Sequence, residues 1–276
     1  MFTVYQKNNS SNAIKFHTFS GGEEHVNVSG IYPGDPVTIT ARIDSSTEFM
    51  RLLLLTDAIK RIGIKEITLQ MPYIPYARQD RVCANGDAFS LKVFANLINQ
   101  QGYKKVFVTD AHSSVSTALI DNVVETPQTI FADFLYEKTK KEFDYIIAPD
   151  AGSSKKAANF AKIYSAKVCN QIDVIQALKV RDTTNGNITE TKILYDDFDG
   201  RSCLIVDDIA DGGATFIELA KKLKEKNAGK IGLFVTHGIF SRGLDPLFLN
   251  GIDEIYTTDT FEQKDGRAEI IFKYFK

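Results

Sequence analysis

The stretch LIVDDIADGGATF, Leu204–Phe216, joins an apolar run to an acidic pair and a glycine turn. The run leads into Asp207 and Asp208, and Asp211, two glycines and a threonine follow. Continuous apolar runs are typical of strands buried in parallel sheets. Ligands of open α/β folds bind beyond the carboxyl ends of such strands. The stretch therefore predicts a buried strand that ends at a binding site.

Similar runs alternate with helix-like segments along the chain. Strand followed by helix indicates βαβ units, which build a parallel sheet covered on both faces. The helix-like segments begin near Ser45, Ser90 and Ala214, and Gly63, Gly102 and Gly229 are expected to stop them. The predicted strands are PVTITARI, KEITLQMPYI, KKVFVTDAH, YIIAPDAG, SCLIVDDIA and KIGLFVTHGIF.

The strands fall into two groups, which predicts two α/β domains. One group ends near Val123 and the other begins after Phe143, with the polar stretch IDNVVETPQT between them. Pro127 disfavours a continuous helix there. We place the domains at residues 1–125 and 126–276.

Composition limits the class of protein. The 276 residues carry a formal net charge of −2, so the chain has no basic excess for binding nucleic acid. The three cysteines are odd in number and far apart, which argues against a disulfide framework and fits a reducing cytoplasm. No apolar run suggests a membrane span or a signal peptide. We expect a cytoplasmic protein.

The acidic pair and the glycine turn suit a phosphorylated ribose. An ionised carboxylate such as Asp207 or Asp208 can accept hydrogen bonds from ribose hydroxyls. Gly212 and Gly213 permit close backbone approach, and amides at a helix N-terminus favour an anion such as phosphate. The structural alternative is that Asp211 simply caps the following helix.

Polar groups also follow the other predicted strands. Asp110 and His112 lie in TDAHSS, and Asp150 and Lys155 lie in APDAGSSKK. YIPYARQDR places four polar residues in a row, namely Arg78, Gln79, Asp80 and Arg81. If these strands are parallel and adjacent, their carboxyl ends share one edge of a sheet.

These motifs resemble, in order, those of the ribose-phosphate diphosphokinases, which make phosphoribosyl diphosphate (PRPP). LIVDDIADGGAT is similar to the PRPP loop, which type I phosphoribosyltransferases share. The remaining motifs resemble the diphosphokinases alone, over about residues 19–260. They are FSGGE, PYIPYARQDR, TDAHSS, APDAGSSKKA and THGIFS.

The resemblance implies two tandem phosphoribosyltransferase-type (Rossmann-like) domains with parallel sheets, and a reaction. The family transfers the β,γ-diphosphate of Mg-ATP to the anomeric hydroxyl of ribose 5-phosphate and releases AMP. The implied ATP-binding residues are Phe19, Glu23, Arg78, Gln79, Asp80 and His112. His112 and Asp150 would hold or orient Mg²⁺. Because Mg²⁺ prefers oxygen ligands, His112 would act through a bridging water or on a group that itself binds the ion.

The resemblance also assigns the acceptor site and a catalytic loop. Asp207 and Asp208 would take the ribose hydroxyls, and Asp211, Gly212, Gly213, Ala214 and Thr215 would take the 5-phosphate. ALKVRDTTNGNITETK occupies the place of a mobile catalytic loop, with Lys179 and Arg181 over the transferring phosphates. The alternative is a solvated basic pair on a β-hairpin. The resemblance further implies a homo-oligomer, a dimer or a hexamer.

The chain departs from the family in its phosphate turn. The family has D-T-G-G-T, whereas this chain has DGGAT, with Gly212 for the first threonine and Ala214 for the second glycine. The lost hydroxyl removes a phosphate donor and is expected to open space. We therefore hypothesise ADP-ribose as a second acceptor. Two alternatives stay open, namely a non-catalytic family member and a phosphoribosyltransferase that consumes PRPP.

Overall fold

Parallel strands form the centre of both halves of the chain in the computed structural model, which describes residues 1–7, 13–140, 143–181 and 188–275. Side chains of residues 179–190 lie outside this description. Unit 1 comprises Met1–Pro127 with the C-terminal Tyr274 and Phe275, and unit 2 comprises Gln128–Lys273. The division thus follows Pro127, and the last residues pack with the first unit rather than the second.

Unit 1 contains seven strands and three helices among its described residues. The strands are β1 Phe2–Gln6, β2 Ala13–Thr18, β3 Glu24–Ser29, β4 Val37–Ala41, β5 Ile67–Gln70, β6 Lys105–Thr109 and β7 Val123–Thr126. The helices are α1 Ser46–Arg61, α2 Ser90–Asn99 and α3 Ser114–Leu119.

The main sheet of unit 1 has the order β1-β4-β5-β6-β7, with β1 antiparallel to β4 and the other pairs parallel. The carboxyl ends of β4 to β7 therefore share one edge. α1 begins as predicted, because the Ser45 side chain accepts a hydrogen bond from the Glu48 amide at 3.1 Å. Gly63, just beyond the helix, has φ +101°, the left-handed conformation expected of a glycine stop.

Three features of unit 1 differ from the prediction, the first being the unpredicted antiparallel edge strand β1. The stretch IDNVVETPQT is no plain linker, because Val123–Thr126 form the edge strand β7. Its four residues are all only partly buried or exposed, so their apolar signal is weak. The third feature is the antiparallel hairpin of β2 and β3, which no run of apolar residues predicted.

Unit 2 contains seven strands and four helices among its described residues. The strands are β8 Tyr145–Ala148, β9 Asp173–Arg181, β10 Ile188–Ile193, β11 Cys203–Ala210, β12 Ile231–Gly238, β13 Glu254–Thr258 and β14 Ala268–Phe272. The helices are α4 Ile130–Thr139, α5 Ser154–Val168, α6 Ala214–Glu225 and α7 Asp245–Phe248.

The unit 2 sheet has the order β10-β9-β8-β11-β12-β13-β14. Only the β9–β10 pair is antiparallel, so β9, β8, β11 and β12 present their carboxyl ends at one edge. All eight residues of β12 are buried, as expected for a central strand covered on both faces. The six predicted strands and the α/β class with parallel sheets are thus confirmed.

Each unit has its own hydrophobic core. In unit 1, Leu52, Leu55 and Ile59 of α1 pack with the buried residues of β4 and β5. In unit 2, α6 supplies Phe216, Leu219 and Leu223, which pack with Ile205 and Leu233 of the sheet. None of the helices in the described ranges is both long enough and apolar enough to cross a membrane.

Candidate active site

The acidic pair lies within β11, not beyond its end as we predicted. Pairing with β8 stops at Ile205, but pairing with β12 continues to Ala210, so the backbone stays extended through both aspartates. Asp207 and Asp208 therefore point to opposite faces of the strand. Asp207 is partly buried and Asp208 is 7% exposed.

Each aspartate is held by neighbours that the sequence did not reveal. The Asp208 carboxylate lies 3.4 Å from the Lys156 ammonium of α5. The Asp207 carbonyl accepts a hydrogen bond from the Gln128 side chain at 2.7 Å. The Asp208 amide donates to the Asp207 carboxylate at 3.0 Å. These contacts fix the acidic pair at the carboxyl edge of the sheet.

The glycine turn leaves the N-terminus of α6 without a side-chain cap. The N-cap residue is Gly213 with φ +79°, which has no side chain that could accept a hydrogen bond from the first turn. The N-cap position, which the structural alternative gave to Asp211, is thus held by Gly213, two residues later. Helix amides without a cap, next to glycine backbone, form a place for an anion.

Gly212 and Gly213 meet different surroundings. A Cβ atom on Gly213 would lie 3.1 Å from a methyl carbon of Leu247, in a backbone conformation that other residues rarely adopt. A Cβ atom on Gly212 would lie 3.6 Å from Nε of Arg242, an ordinary contact distance. The space expected beside Gly212 thus holds an arginine side chain.

The segment after β12 folds against the glycine turn. The amides of Ile239 and Phe240 both donate to the Ala210 carbonyl, at 2.8 and 3.1 Å. His237 is buried, and its Nδ1 lies 3.0 Å from the Thr260 hydroxyl. His237 thus takes part in the packing of unit 2, whereas Arg242 is exposed at the site.

Asp150 lies after β8, the neighbour of β11 in the sheet. Its carboxylate accepts a hydrogen bond from the Ser153 amide at 3.0 Å, and the Ser153 hydroxyl donates to the Asp150 carbonyl at 3.0 Å. This turn fixes the orientation of the carboxylate at the same edge. Lys155 is exposed beside it, while Lys156 reaches Asp208.

Lys179 and Arg181 belong to β9, opposite Thr191 and Ile188 of β10. Their backbone thus lies beyond the end of β8, on the adjacent strand. Their side chains and the stretch TTNGN fall outside the described parts of the chain, so their predicted catalytic role remains a prediction.

In unit 1, FSGGE forms the tip of the β2–β3 hairpin. Phe19 is 50% exposed, and its ring meets the edge of His17 with centroids 4.7 Å apart. Glu23 is exposed, whereas Glu24 binds Arg51 of α1 at 2.7 Å. Hydrogen bonding to Arg51 lowers the pKa of Glu24. The charged pair anchors the hairpin to α1 and leaves its tip exposed.

The segments that follow β5 and β6 meet at one edge of the unit 1 sheet. The Met71 amide donates to the Phe107 carbonyl and the Thr109 amide to the Pro72 carbonyl, both at 2.8 Å. Arg78 and Gln79 are exposed after β5, and His112 is exposed after β6. Asp80 lies in the same segment, its carboxylate 3.4 Å from the Arg81 side chain.

A complete metal centre is not formed by the described residues of either unit. No group of three or more histidine, cysteine, aspartate or glutamate side chains within them is arranged to hold an ion. His112 belongs to unit 1 and Asp150 to unit 2. The Asp150 carboxylate fits Mg²⁺ in donor type, provided that substrate oxygens and water complete the shell, whereas the His112 imidazole does not.

Three residues at the unit 2 site were not predicted from the sequence, namely Gln128, Lys156 and Arg242. Lys156 is the neighbour of Lys155 in APDAGSSKK, and Arg242 directly follows THGIFS. Their positions next to these motifs could therefore have indicated both residues. Gln128 carried no signal, because it lies 79 residues before the strand that it binds.

Comparison with known proteins gives the family. Residues 5–102 match the N-terminal domain of ribose phosphate pyrophosphokinase, and residues 128–259 match the phosphoribosyl transferase domain. A ribose-phosphate pyrophosphokinase of Aquifex aeolicus is 33% identical over 92% of this chain and 82% of its own length. One of Thermosipho africanus is 31% identical over 90% and 78%.

A solved structure shows the same fold. The phosphoribosylpyrophosphate synthetase of Mycobacterium smegmatis aligns with a TM-score of 0.79 and 22% identity, over 95% of this chain and 85% of its own. Ribose-phosphate pyrophosphokinase is another name for ribose-phosphate diphosphokinase. The chain belongs to the ribose-phosphate pyrophosphokinase family, whose members are diphosphate-transferring enzymes.

Proposed function

We propose that this chain transfers the β,γ-diphosphate of ATP to the anomeric hydroxyl of ribose 5-phosphate, which gives PRPP and AMP. The observation that carries the proposal is the uncapped glycine turn at the N-terminus of α6, beside the acidic pair of β11. Relatives named ribose-phosphate pyrophosphokinases support it.

The acceptor is assigned to the carboxyl edge of unit 2. Asp207 and Asp208 accept hydrogen bonds from the ribose hydroxyls. The backbone from Asp211 to Ala214 and the Thr215 hydroxyl donate to the 5-phosphate. Lys156 holds the Asp208 carboxylate in place, because its ammonium lies 3.4 Å from that carboxylate.

ATP is assigned to residues of unit 1 and to the β9–β10 hairpin. Arg78 makes charge-assisted hydrogen bonds to phosphate, with Gln79, Asp80 and His112 nearby, and Phe19 and Glu23 serve the adenine and the nucleotide. Lys179 and Arg181 neutralise the charge that develops on the transferring phosphates. Phosphoryl transfer depends mainly on such positioning and charge stabilisation.

Mg²⁺ is the metal of this proposal, held by Asp150 together with phosphate oxygens and water, with His112 acting through water. When bound, the ion neutralises phosphate charge. The Ser153 amide orients the Asp150 carboxylate toward this role. Assembly as a homo-oligomer, a dimer or a hexamer, is also proposed, and light scattering of the purified chain tests it.

ADP-ribose is a second candidate acceptor. The observation that favours it is that the Gly212 position meets only a flexible side chain, that of Arg242, while Ala214 at the start of α6 is exposed. A phosphate diester bears one charge and needs room for the rest of the molecule. The relatives' names point to ribose 5-phosphate, which we therefore take as the principal acceptor.

The test is AMP release from Mg-ATP with ribose 5-phosphate and ADP-ribose side by side. We expect acceptor-dependent AMP release in the intact chain and its loss in Lys179→Ala. A strong preference for ribose 5-phosphate would eliminate the ADP-ribose proposal. If AMP is released neither with ribose 5-phosphate nor with ADP-ribose, the result would contradict diphosphate transfer and favour a non-catalytic family member. PRPP consumption with a free base would instead indicate a phosphoribosyltransferase.

A further inference from the structure

Arg242 is an exposed cation that touches the phosphate turn. A Cβ atom on Gly212 would lie 3.6 Å from its Nε, 3.8 Å from its Cδ and 4.0 Å from its Cζ. The guanidinium therefore lies alongside the backbone whose amides we assign to the acceptor phosphate. A methyl group at position 212 would still make only an ordinary contact with this side chain, so the arginine does not depend on glycine for its place.

The backbone around Arg242 is held in place by the end of β11. Phe240, with φ +47°, donates its amide to the Ala210 carbonyl, and the Gly243 amide donates to the Phe240 carbonyl at 2.8 Å. Leu244, two residues after Arg242, is buried, with 2% of its surface exposed. The arginine thus projects from a fixed turn rather than from a free loop.

The charge of Arg242 is not neutralised within the described ranges, where no carboxylate forms an ion pair with it. Arg267 of the same unit gives the contrast. Its guanidinium binds Asp245 at 2.8 Å and also Asp265, and hydrogen bonding to Asp265 raises its pKa. A guanidinium left for solvent beside an uncapped helix N-terminus is suited to an anionic ligand.

The turn itself is poor in side-chain donors. From position 211 to position 215, only Thr215 carries a hydroxyl, and Gly212, Gly213 and Ala214 carry none. A phosphate monoester dianion is bound best by several donors. Arginine supplies a planar, paired set of N–H groups that matches phosphate oxygens.

We propose that Arg242 binds the phosphate on the 5-carbon of the acceptor ribose. The inference rests on the proposed function and names a residue of the same site. Its chemistry is shared by ribose 5-phosphate and by the ribose-linked phosphate of ADP-ribose, so both compounds are tested.

The experiment compares Arg242→Ala and Arg242→Lys with the control Arg201→Ala in the full chain. Arg201 is also an exposed arginine of unit 2, but it precedes β11 at the opposite edge of the sheet. For Arg242→Ala we expect the KM for the acceptor to rise about 10- to 100-fold, because hydrogen bonds to charged groups are lost. The KM for ATP and the Tm should stay near their unsubstituted values.

The acceptor KM of Arg242→Lys should lie between that of Arg242→Ala and that of the unsubstituted chain, because lysine keeps the charge but not the paired donors. Arg201→Ala should change neither KM. An equal rise in both KM values, or a lower Tm with an unchanged acceptor KM, would show a structural role and overturn the inference.

Binding measured by calorimetry separates this inference from the proposed function. Each protein is titrated with ribose 5-phosphate, and then with ADP-ribose, in the presence of Mg²⁺ and a non-hydrolysable ATP analogue. Weaker binding in Arg242→Ala supports the inference even if no diphosphate is transferred. Equal binding by Arg242→Ala and the unsubstituted chain overturns it, even if AMP release proceeds. If the unsubstituted chain binds neither ribose 5-phosphate nor ADP-ribose, both the proposed function and the role of Arg242 are overturned.

Discussion

The two edges of the unit 2 sheet use glycine for opposite purposes. At the amino edge, the Gly229 amide donates to the Arg201 carbonyl at 2.8 Å, and a Cβ atom on Gly229 would lie 2.1 Å from the Gly200 carbonyl oxygen. At the carboxyl edge, Gly212 has ordinary contact room beside Arg242. Glycine serves close backbone packing at one edge, and exposed amides for a ligand at the other.

The difference between the two edges predicts which property a substitution should change, stability or acceptor binding. The amino edge holds the strands together, so substitutions there should lower stability and spare the KM values of the folded protein. The carboxyl edge lies where ligands of α/β sheets bind. Substitutions there should change acceptor binding more than stability.

The largest effect is predicted for Gly229→Ala. The added methyl group would overlap the Gly200 carbonyl, and two backbone segments would have to move apart. We expect a loss of about 3 kcal/mol in the free energy of unfolding, at the upper end for overpacking. Urea denaturation measures it. An unfolding free energy within about 0.5 kcal/mol of the unsubstituted chain would contradict close packing at this edge.

Asp208→Asn should affect catalysis next most strongly. It replaces the charged acceptor beside Lys156 by an amide, and we expect the acceptor KM to rise roughly 10- to 100-fold. The matched control is Asp253→Asn at the amino edge, where Asp253 accepts from the Ile231 amide at 2.7 Å. Steady-state kinetics should show an unchanged acceptor KM for the control. An equal acceptor KM in Asp208→Asn and Asp253→Asn would contradict the proposed difference between the two edges.

Gly213→Ala and Gly212→Ala test neighbouring positions of one turn. Gly213 has φ +79° and faces Leu247 at 3.1 Å, so alanine should cost about 1–2 kcal/mol of unfolding free energy. Gly212→Ala should cost less than about 0.5 kcal/mol, because 3.6 Å from Arg242 is an ordinary contact. Thermal or urea unfolding compares them. Equal losses would show that the turn does not distinguish the two positions.

The smallest effect concerns Cys203, the first residue of β11, at the amino edge. Burial raises the pKa of this thiol from 9.0 to about 12, so it stays protonated at pH 8. With a thiol reagent at pH 8, the exposed Cys83 and Cys169 should react quickly and Cys203 only after unfolding. Three equally fast thiols would contradict a dry amino edge.

The same shift sets the sign of a pH effect. The folded pKa of Cys203 lies above the unfolded value, so the folded state holds its proton more strongly. Its contribution to stability is complete below pH 9 and is lost as the pH rises toward 12. Cys203→Ala should remove that part of the alkaline loss of stability, as urea denaturation at several pH values would show.

Six strands could be predicted because their signal is local. Runs such as YIIA and IGLFVTHG are mostly apolar, as expected of strands that are covered on both faces. β7 and the β2–β3 hairpin escaped because their residues are half exposed, and no strong apolar period marks them. Edge and surface strands depend on neighbours that are distant in sequence.

The acidic pair shows the same division within a single strand. Its position after an apolar run was plain from the residues, but the end of β11 was not. The strand continues to Ala210 because β12 pairs with it up to Gly238. Strand length is set by the partner strand, and no property of LIVDD alone carries that information.

The sequence by itself determined the α/β class, six of the strands and the family, since apolar runs and ordered motifs are local properties of the chain. Only the tertiary structure decided which side chains surround those motifs. Lys156 reaches Asp208 from α5, Gln128 reaches the Asp207 carbonyl, and Arg242 occupies the space beside Gly212. Such contacts join segments up to 79 residues apart, and folding of the sheet, rather than any local pattern, brings them together.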